Sequence, residues 1–402
     1  MKSTNRRNLI LLAFSLVVVM LGFGMVIPIL PFYIVRFGAG GSAFGLLVAI
    51  AALTEFLFGP VWGSISDRVG RKPILMIGMF GYGLSMLFFG LSTQLWMLYA
   101  SRALSGVLSS AALSTAMAYI GDSTSERERG GGMGLLGAAA GAGTIIGPGI
   151  GGLLAKESLS TPFFAGAGMS LLSLVFIGIL LPESLPRENR FVEGHKTQFI
   201  NFRPLFQALK SPIGFLLFLA FFATLGTSNF EAIYSLYMVA EFNYSTERIG
   251  LILTVVGVIA LVGRGLLTGV FTKRWGEVNV IKVSLLATAV GFVLLLQANT
   301  FPTILLATGF FTFAVTFLRP SIHSLTSQRA LVGQGTALGL SNSCVSLGRI
   351  FGALGAGVLF DLGTGYPYWV GAGVLLIGVV FSLVWLTATP GKGAETPIVS
   401  TQ

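Results

Sequence analysis

The sequence predicts an all-α integral membrane protein in which twelve transmembrane helices form two pseudo-symmetric six-helix bundles. Of the 402 residues, 54% are hydrophobic and only 10% are charged, and the mean hydropathy is +0.85. This composition is too apolar for a soluble globular protein. The apolar residues lie in long runs of the roughly 20 residues that cross a bilayer. Motifs in the first half also recur in the second half, about 205 residues later.

Apolar runs of this length place the twelve predicted helices in order along the chain. They cover residues 9–35, 43–63, 73–92, 95–119, 131–155, 162–182, 212–240, 246–272, 279–298, 301–323, 331–360 and 366–388. The first run is longer than a signal-peptide core and has no small-residue cleavage pattern, so we expect it to be retained. The longest polar stretch, residues 183–211, is predicted to be a cytoplasmic loop. It separates an N-terminal bundle (1–182) from a C-terminal bundle with a short cytoplasmic tail (212–402).

Basic residues between the runs predict the orientation of the chain in the membrane. If the odd-to-even connections face outward, only Arg36, Lys156 and Arg248 lie outside, and most other Lys and Arg residues lie inside. Positive charge of this kind marks the cytoplasmic side. We therefore expect a plasma-membrane protein with both termini in the cytoplasm. The same explanation accounts for the net charge of +10, so no nucleic-acid partner is predicted.

Metal, cofactor and enzyme chemistry have no support in the sequence. The single cysteine, Cys344, excludes an internal disulfide and makes a multi-thiolate metal site implausible. His195 and His323 have no partner at ligand spacing. There is no G-x-x-x-x-G-K-[ST] string for ATP and no clustered catalytic constellation. The sequence predicts no metal, no cofactor and no enzyme.

Two motifs recur at nearly the same distance in the two halves. Residues 63–73 read GSISDRVGRKP, and Gly269, Arg274 and Gly276 follow Gly63, Arg68 and Gly70 by 206 residues. Gly339, Gly348 and Gly352 of helix 11 follow Gly134, Gly143 and Gly147 of helix 5 by 205 residues. Duplicated halves are typical of secondary transporters that bind their cargo near the middle of the membrane.

Helix 5 carries an unusual string of small residues. Gly143, Gly147 and Gly151 recur every four residues, so they form a stripe without side chains on which another backbone can pack closely. Pro148 removes a backbone donor beside the stripe and should bend the helix. We interpret this surface as one on which two bundles move against each other. A close helix contact of the kind found in any membrane protein is the alternative.

These strings resemble signatures of the major facilitator superfamily, in particular its twelve-helix drug:proton antiporter branch. Residues 63–73 resemble the loop signature of the superfamily, and Gly134 to Gly152 resemble the antiporter signature. Leu21-Gly22 with residues 28–31, and Arg102 with Gly106, resemble the helix 1 and helix 4 motifs of the branch. Residues 228–237, Asn243-Tyr244-Ser245 and Arg319-Pro320 resemble multidrug exporters of the NorA and Bmr kind, or tetracycline exporters. The resemblance implies proton-coupled export by alternating access.

The chain departs from this pattern at four positions within the predicted helices. Three of them carry a charge here, and the fourth carries a neutral residue in place of an acid. Glu55 stands where many relatives carry a neutral glutamine, and Thr316 stands where NorA-like exporters have an acid. Arg264 and Arg349 are additional charges within predicted helices. They either line a cavity or pair with the two glutamates.

Three charged residues are predicted to couple transport to protons. A charge in the middle of a bilayer costs about 2.5–3.5 kcal/mol, so Glu55 in helix 2 and Glu231 in helix 7 need an explanation. A carboxyl shielded from water can bind and release a proton near physiological pH. The resemblance implies a coupling role for Arg102, which stays charged and cannot itself carry the proton. The alternatives are simple pairing of each glutamate with an arginine, and a structural hydrogen-bond hub at Arg102.

The loop between helices 2 and 3 is predicted to act as a gate on the cytoplasmic side. The resemblance implies that Asp67 binds the exposed amides at the start of helix 11. Arg68 and Arg71 would pair with Asp122 at the end of helix 4, within the frame set by Gly63 and Gly70. Ordinary positive charges of a cytoplasmic loop are the alternative.

Glu231 is predicted to contact the substrate, together with aromatic and polar residues near it. They are Phe230, Tyr234 and Tyr237 of helix 7, Phe313 and Phe317 of helix 10, and Asn342 of helix 11. Drug pockets are usually apolar with a few polar anchors. Core packing or contact with lipid is the alternative for each aromatic ring.

The sequence thus predicts a monomeric exporter that exchanges external protons for an amphiphilic drug or a related small molecule. Its partners would be this molecule, protons and membrane lipids. The alternative keeps the fold but exports a sugar, a metabolite, a lipid-linked compound or an anionic solute.

Overall fold

The computed structural model describes residues 3–124, 126–186, 188, 190, 213–330 and 334–386, and every regular element in these residues is a helix. The first half contains α1 (Ser3–Val26), α2 (Leu30–Arg36), α3 (Gly41–Val69), α4 (Arg71–Gly90), α5 (Leu95–Ser123), α6 (Glu126–Leu154) and α7 (Thr161–Leu180). The second half contains α8 (Gly214–Phe242), α9 (Thr246–Val262), α10 (Thr268–Gln297), α11 (Phe301–Thr316), α12 (Leu318–Arg329), α13 (Gln334–Leu362) and α14 (Tyr366–Trp385). A short π-helix, Gly263–Leu267, joins α9 to α10.

The twelve predicted spans are present in the described residues, which confirms the predicted fold class. Two spans are interrupted: the first consists of α1 and α2, and the tenth consists of α11 and α12. The second break follows from Pro320, because a proline ring clashes with the carbonyl four residues earlier, and α11 ends at that residue, Thr316. Spans eight and nine form one helical run of 52 residues, Thr246–Gln297. Gly276 divides this run with a non-helical backbone (φ 75°, ψ 154°).

The repeat seen in the sequence is also a repeat in conformation. Gly70, which separates α3 from α4, has φ 118° and ψ 160°, and Gly276, 206 residues later, also combines a positive φ (75°) with an extended ψ (154°). Positive φ of this kind is strained for residues with a side chain. The following residues, Arg71 and Glu277, then make equivalent contacts. Arg71 Nε donates to Asp122 at 2.8 Å, and Glu277 accepts from Gln328 Nε2 at 2.8 Å, again with partners 206 residues apart.

The glycine stripe of α6 packs inside the first half. A Cβ atom on Gly143 would lie 2.7 Å from the Leu21 nitrogen of α1, and one on Gly151 would lie 2.6 Å from Met25 Cα. Gly147 likewise faces the Leu21 carbonyl. The interpretation of this stripe as the surface on which the bundles move is therefore wrong. Spacing of four residues defines a face of a helix, but it does not identify the helix that covers this face.

The adjacent face of α6 contacts the second half. A Cβ atom on Gly152 would lie 2.5 Å from the Thr246 carbonyl oxygen of α9. A Cβ atom on Gly250 of α9 would likewise overlap the Pro148 carbonyl oxygen of α6. The helix continues through Pro148 to Leu154. The absence of side chains at Gly152 and Gly250 thus allows the backbones of the two halves to touch.

The second contact between the halves repeats this geometry. A Cβ atom on Gly41 of α3 would lie 2.7 Å from the Gly357 carbonyl of α13, and Gly45 lies against the Ala353 carbonyl. Each participant is 205 residues from its counterpart: Gly41 from Thr246, Gly45 from Gly250, Pro148 from Ala353, and Gly152 from Gly357. The α3–α13 and α6–α9 interfaces are therefore one contact used twice.

A carboxylate adds a polar contact between α3 and α13. Asp361, near the end of α13, accepts hydrogen bonds from the backbone N–H of Gly41 at 2.5 Å and of Ser42 at 2.8 Å, and from the Ser42 hydroxyl. These N–H groups belong to the first turn of α3, where they have no partner within the helix. A negative charge is favourable at this position. Asp361 therefore caps a helix of the opposite half.

The two halves separate toward the other end of the molecule. We call the end with Gly41, Thr246 and Asp361 the Asp361 end, and the opposite end the Gly70 end. Gly63 of α3 and Gly339 of α13 lie toward the Gly70 end, and a Cβ atom on either would have no neighbour within 4 Å. The same is true of Gly134 on α6 and Gly269 on α10. The helix pairs that touch at the Asp361 end are thus apart at the Gly70 end.

Removing the Asp361 carboxylate should weaken closure of the Asp361 end. Hydrogen bonds to a charged group contribute about 1.5–3 kcal/mol each. The Asp361→Ala variant should therefore increase the fraction of molecules whose halves are apart at the Asp361 end about tenfold or more. Spin labels at Thr93 and Asn299, in loops of the two halves at this end, would report the change as a longer distance. The labels would be placed in a protein with Cys344→Ser.

Glu241→Ala is the matched control for this measurement. Glu241 also accepts a hydroxyl hydrogen bond at the Asp361 end, but its partner, Thr364, belongs to the same half. An unchanged distance distribution in Asp361→Ala would contradict a closing role for Asp361.

Candidate functional site

A cavity lies in the second half between α8, the π-helix, α11, α12 and α13. Its lining residues are Ala220, Ala223, Thr224, Thr227, Glu231, Arg264, Val315, Leu318, Arg319, Ile322, His323, Ser341, Val345 and Arg349. Much of this wall is aliphatic. It also carries three arginines, one glutamate and one histidine, so the chemistry of the site comes mainly from charged groups.

Helix α8 places Glu231 in this cavity through its regular geometry. Ala220, Thr224, Thr227 and Glu231 are separated by intervals of three or four residues, so they occupy one face of the helix. This face lines the cavity along about three turns. Thr224 and Thr227 were missed by our sequence reasoning, although the same spacing to Glu231 could have identified them.

The aromatic residues predicted around Glu231 occupy a different face of α8. Phe230 is 7% exposed and its ring centre lies 4.3 Å from that of Phe311. The Tyr234 hydroxyl forms a hydrogen bond with Thr308 Oγ1 at 3.0 Å. Tyr237 packs edge-on against Tyr368. These three rings belong to the core of the second half instead of the cavity wall, because Phe230 lies next to Glu231 in sequence but about 100° away around the helix.

The other predicted substrate contacts also lie outside the cavity wall. Phe317 is 4% exposed and packs against Phe271, and Phe313 stacks edge-on against Phe317. Asn342 is exposed, but its neighbour Ser341 lines the cavity. Of the predicted substrate residues, Glu231 is the one that the cavity wall contains.

The π-helix brings Arg264 into the cavity. In a π-turn the backbone widens by one residue, which changes the direction of the side chains that follow. Gly263 at its start is buried, and a Cβ atom there would lie 2.8 Å from Thr316 Cγ2. Such local π-turns occur frequently at functional sites. The two glycines that flank Arg264 are the one local feature that could have indicated this π-turn.

The charged groups of the cavity face each other without forming ion pairs. Arg319 interacts electrostatically with Arg349, Glu231, Arg264 and Glu55. Among the described residues, no carboxylate oxygen of Glu231 or Glu55 lies within 4.0 Å of an arginine nitrogen. The alternative in which each glutamate simply pairs with an arginine is therefore not observed. Glu55 belongs to α3 of the first half, so the interaction crosses between the halves.

Arg102 lies elsewhere, in the interior of the first half. It is 7% exposed, and its guanidinium lies 5.4 Å from the ring centre of Phe89 on α4. It also interacts with Tyr82, and both the Arg102 Nε and the Tyr82 hydroxyl lack a hydrogen-bond partner. No carboxylate in the described part of the chain forms an ion pair with Arg102.

The residues predicted to gate the cytoplasmic side form contacts within the first half. Arg71 contacts Asp67 at 2.5 Å and Asp122 at 2.8 Å, and it donates to Ser66 Oγ at 2.6 Å. The Arg71 backbone N–H donates to Glu183 at 2.8 Å. The predicted contact of Asp67 with helix 11 is not seen in the described residues, because the halves are apart at this end. Residues 331–333, at the predicted start of helix 11, lie outside the described residues.

Comparison with known proteins identifies the family. The model of the Major Facilitator Superfamily matches residues 12–230 and 216–399. The chain belongs to the major facilitator superfamily. This is a family of transporters of small molecules, and the resemblance noted from the sequence is thereby confirmed.

Several members of the superfamily are similar to this chain over nearly its whole length. "Multidrug resistance protein 2" of Bacillus subtilis is 33% identical over 96% of this chain and 97% of its own length. "Quinolone resistance protein NorA" of Staphylococcus aureus is 30% identical over 94% of this chain and 96% of its own length. The crystal structure of the nucleoside transporter NupG has a TM-score of 0.78 and 14% identity, and it covers 95% of this chain and 99% of its own. This last likeness concerns the fold alone.

Truncating Phe230 should reduce stability without changing which molecules bind. Removal of a buried phenylalanine ring costs about 3–5 kcal/mol, so Phe230→Ala should lower the Tm of the purified protein measurably. Phe80→Ala is the matched control, since Phe80 is 51% exposed and should leave the Tm nearly unchanged. A normal Tm combined with altered ligand preference in Phe230→Ala would instead support the substrate contact predicted from the sequence.

Proposed function

We propose that the protein is a proton-coupled exporter of amphiphilic small molecules that works by alternating access. The observation that carries this proposal is the position of Glu231. It lies unpaired in a cavity of a chain whose halves meet at one end and separate at the other. The names of the similar multidrug and quinolone resistance proteins support the same function.

We assign the Gly70 end to the cytoplasm and the Asp361 end to the outside of the plasma membrane. Arg68, Arg71, Lys72, Lys273 and Arg274 cluster near Gly70 and Gly276, as expected for a cytoplasmic face. Both termini are then cytoplasmic. In this orientation the described state is closed to the outside and would load its substrate from the cytoplasm.

Glu231 is the group that we propose to carry the proton. When the cavity opens outward, the Glu231 carboxylate takes up a proton and becomes neutral. When it opens inward, Glu231 releases this proton to the cytoplasm as substrate binds, because both compete for the same carboxylate. Glu55 is the second proton-carrying group that we consider. A proton that moves down 100 mV supplies about 2.3 kcal/mol, which sustains roughly a fifty-fold gradient of a neutral substrate.

Arg102 has a structural and a coupling interpretation. Its position over Phe89 agrees with a structural role in the first half, whereas its unpartnered Nε is a cost to stability that a structural role does not explain. A role of Arg102 in proton coupling would require a carboxylate to approach its guanidinium in another conformation of the protein. We retain this role as part of the proposal because the sequence motif around Arg102 resembles that of the branch.

The gate at the cytoplasmic end would form when the two halves close there. Asp67 lies at the end of α3, and α13 packs against α3 at the other end of the molecule. Closure at the Gly70 end would bring Asp67 to the first amides of α13, whose positive end attracts a carboxylate. Arg71 would keep Asp67 and Asp122 oriented meanwhile.

A single chain surrounded by lipid suffices for this mechanism, and we propose a monomer. The cavity is built from one chain. Large apolar side chains such as Ile179 (75% exposed) and Leu306 (73% exposed) lie on the outside of the helices, where lipid would cover them.

Neutralising Glu231 should abolish proton-driven transport. In liposomes that contain the purified protein, an imposed pH gradient should drive accumulation of ethidium or Nε-dansyl-lysine by the wild type. The Glu231→Gln variant should not exceed protein-free liposomes, since an amide cannot exchange the proton. Glu55→Gln tests the second carboxyl group in the same assay.

Glu157→Gln is the matched control, because Glu157 is an exposed carboxylate in a loop at the Asp361 end. Proton-driven accumulation by Glu231→Gln at the wild-type rate would show that another group carries the proton. Accumulation that is independent of the gradient in the wild type would refute proton coupling altogether.

A further inference from the structure

The cavity contains more positive charge than its own residues can neutralise. Arg264, Arg319 and Arg349 line it together with a single carboxylate, Glu231. Arginine stays charged under physiological conditions, so the cavity wall retains at least two unbalanced positive charges. Arg349 and Arg264 also repel Arg319. Guanidinium groups that line one cavity repel one another, which is unfavourable unless an anion offsets their charge.

Hydrogen-bond donors without partners accompany this charge. The Ser341 hydroxyl is fully buried and the Arg349 Nε is a buried atom, and neither has a hydrogen-bond partner. Ser341, Val345 and Arg349 are spaced by four residues and lie on the face of α13 that lines the cavity. Long side chains on a helix lean toward its N-terminus, so the Arg349 guanidinium leans toward Ser341. Buried donors of this kind usually have a partner.

Two of the three arginines enter the cavity where a helix is interrupted. Arg264 belongs to the π-helix, and Arg319 follows the break between α11 and α12. Both departures from α-helical geometry give up regular backbone hydrogen bonding. The π-turn at Arg264 is of a kind that occurs frequently at functional sites, whereas the break before Arg319 follows from Pro320.

We infer that the cavity binds the anionic group of a zwitterionic amphiphile, with Arg349, Arg319 and Ser341 as the anion-binding subsite. A carboxylate or a sulfonate fits these donors, and charge-assisted hydrogen bonds from arginine are the strongest available. The aliphatic part of the wall, such as Val345 and Ile322, covers the apolar body of the ligand.

Proton exchange requires the second, cationic group of the ligand. An anion alone would favour the protonated form of Glu231, because the neutral acid does not repel it. Substrate and proton would then bind together and not in exchange. A ligand amine near the Glu231 carboxylate has the opposite effect and displaces the proton. This step rests on the proposed function, whereas the anion-binding subsite does not.

One fluorescent scaffold provides ligands of every charge. Nε-dansyl-lysine is a zwitterion, its methyl ester is a cation, its Nα-acetyl derivative is an anion, and the acetylated ester is neutral. Binding to the purified protein in zwitterionic lipid nanodiscs is followed by dansyl fluorescence. The zwitterion should bind about tenfold more tightly than its methyl ester, as expected for the loss of a charge-assisted contact. Equal affinity of acid and ester would refute the anion-binding subsite.

Variants of the subsite separate its role from general effects of charge. In Arg349→Gln the acid should lose its roughly tenfold advantage over the ester, and Arg349→Lys should retain part of it. Ser341→Ala should reduce the same advantage by a smaller factor, with little effect on folding, because this hydroxyl has no partner in the protein. Arg36→Gln removes one exposed positive charge at the Asp361 end and should change nothing. An undiminished preference for the acid in both Arg349→Gln and Ser341→Ala would contradict the assignment.

Proton release distinguishes the two parts of the inference. Nε-dansyl-lysine and its methyl ester both have a free amine. Addition of either ligand should release protons from the wild type but not from Glu231→Gln. Arg264, Arg319, Arg349, His323 and Glu55 surround or approach Glu231, and His323→Asn excludes the histidine as the source. A preference for the acid without proton release would refute the zwitterion but leave the subsite intact. Proton-driven transport without any preference for the acid would leave the proposed function intact and refute this inference.

Discussion

Contacts between a glycine and a carbonyl group hold the two halves of this protein together. At α3–α13 and at α6–α9 the absence of a Cβ atom lets one backbone rest directly on another, and the participants in the two interfaces are 205 residues apart. Each contact involves only a few residues near one end of a helix pair. It can therefore join the halves at that end while the other ends of the same helices are apart. The cavity lies within the second half, and access to it from the Gly70 end depends on this separation. In lipid, helices gain little from hydrophobic burial, so packing of small residues is the main force available for such a contact.

This arrangement also explains how several charges can be accommodated in the interior of a membrane protein. Unpaired guanidinium and carboxylate groups would be very costly in contact with lipid. In this structure they face a cavity between helices, and the separated halves give this region a route to water. The charged residues are concentrated on the second half, whereas Glu55 contributes from the first. Any movement of the halves therefore changes the distance between Glu55 and Arg319 and alters the electrostatics of the site.

The sequence predicted the fold well because hydrophobic length and internal repetition are properties of single segments. The offset of 206 residues correctly paired Gly70 with Gly276, and the structure gives both a positive φ. The site was harder to predict, because periodicity shows which residues share a face but not what that face contacts. The stripe of Gly143, Gly147 and Gly151 covers α1 and not the other half. Phe230 and Glu231 are neighbours in sequence, yet one lies in the core and the other in the cavity. The π-helix at Arg264 begins at Gly263, which lies against Thr316 of another helix, and no local pattern contains this contact.

The helix pair α3 and α13 is antiparallel, and this geometry links the two ends of the molecule. The start of α3 meets the end of α13, where Asp361 caps the first amides of α3. The end of α3 carries Asp67, which in this state is held by Arg71 of its own half. Each helix thus carries an aspartate near its C-terminal end and, at its N-terminal end, amides that have no partner within the helix. Because the helices are rigid, capping at one end requires separation at the other if the halves rock about the cavity. The two carboxylates would then stabilise opposite states with similar interactions, so neither state is favoured strongly. A small free-energy difference between the two states would allow the binding of a small ligand to decide which end is open.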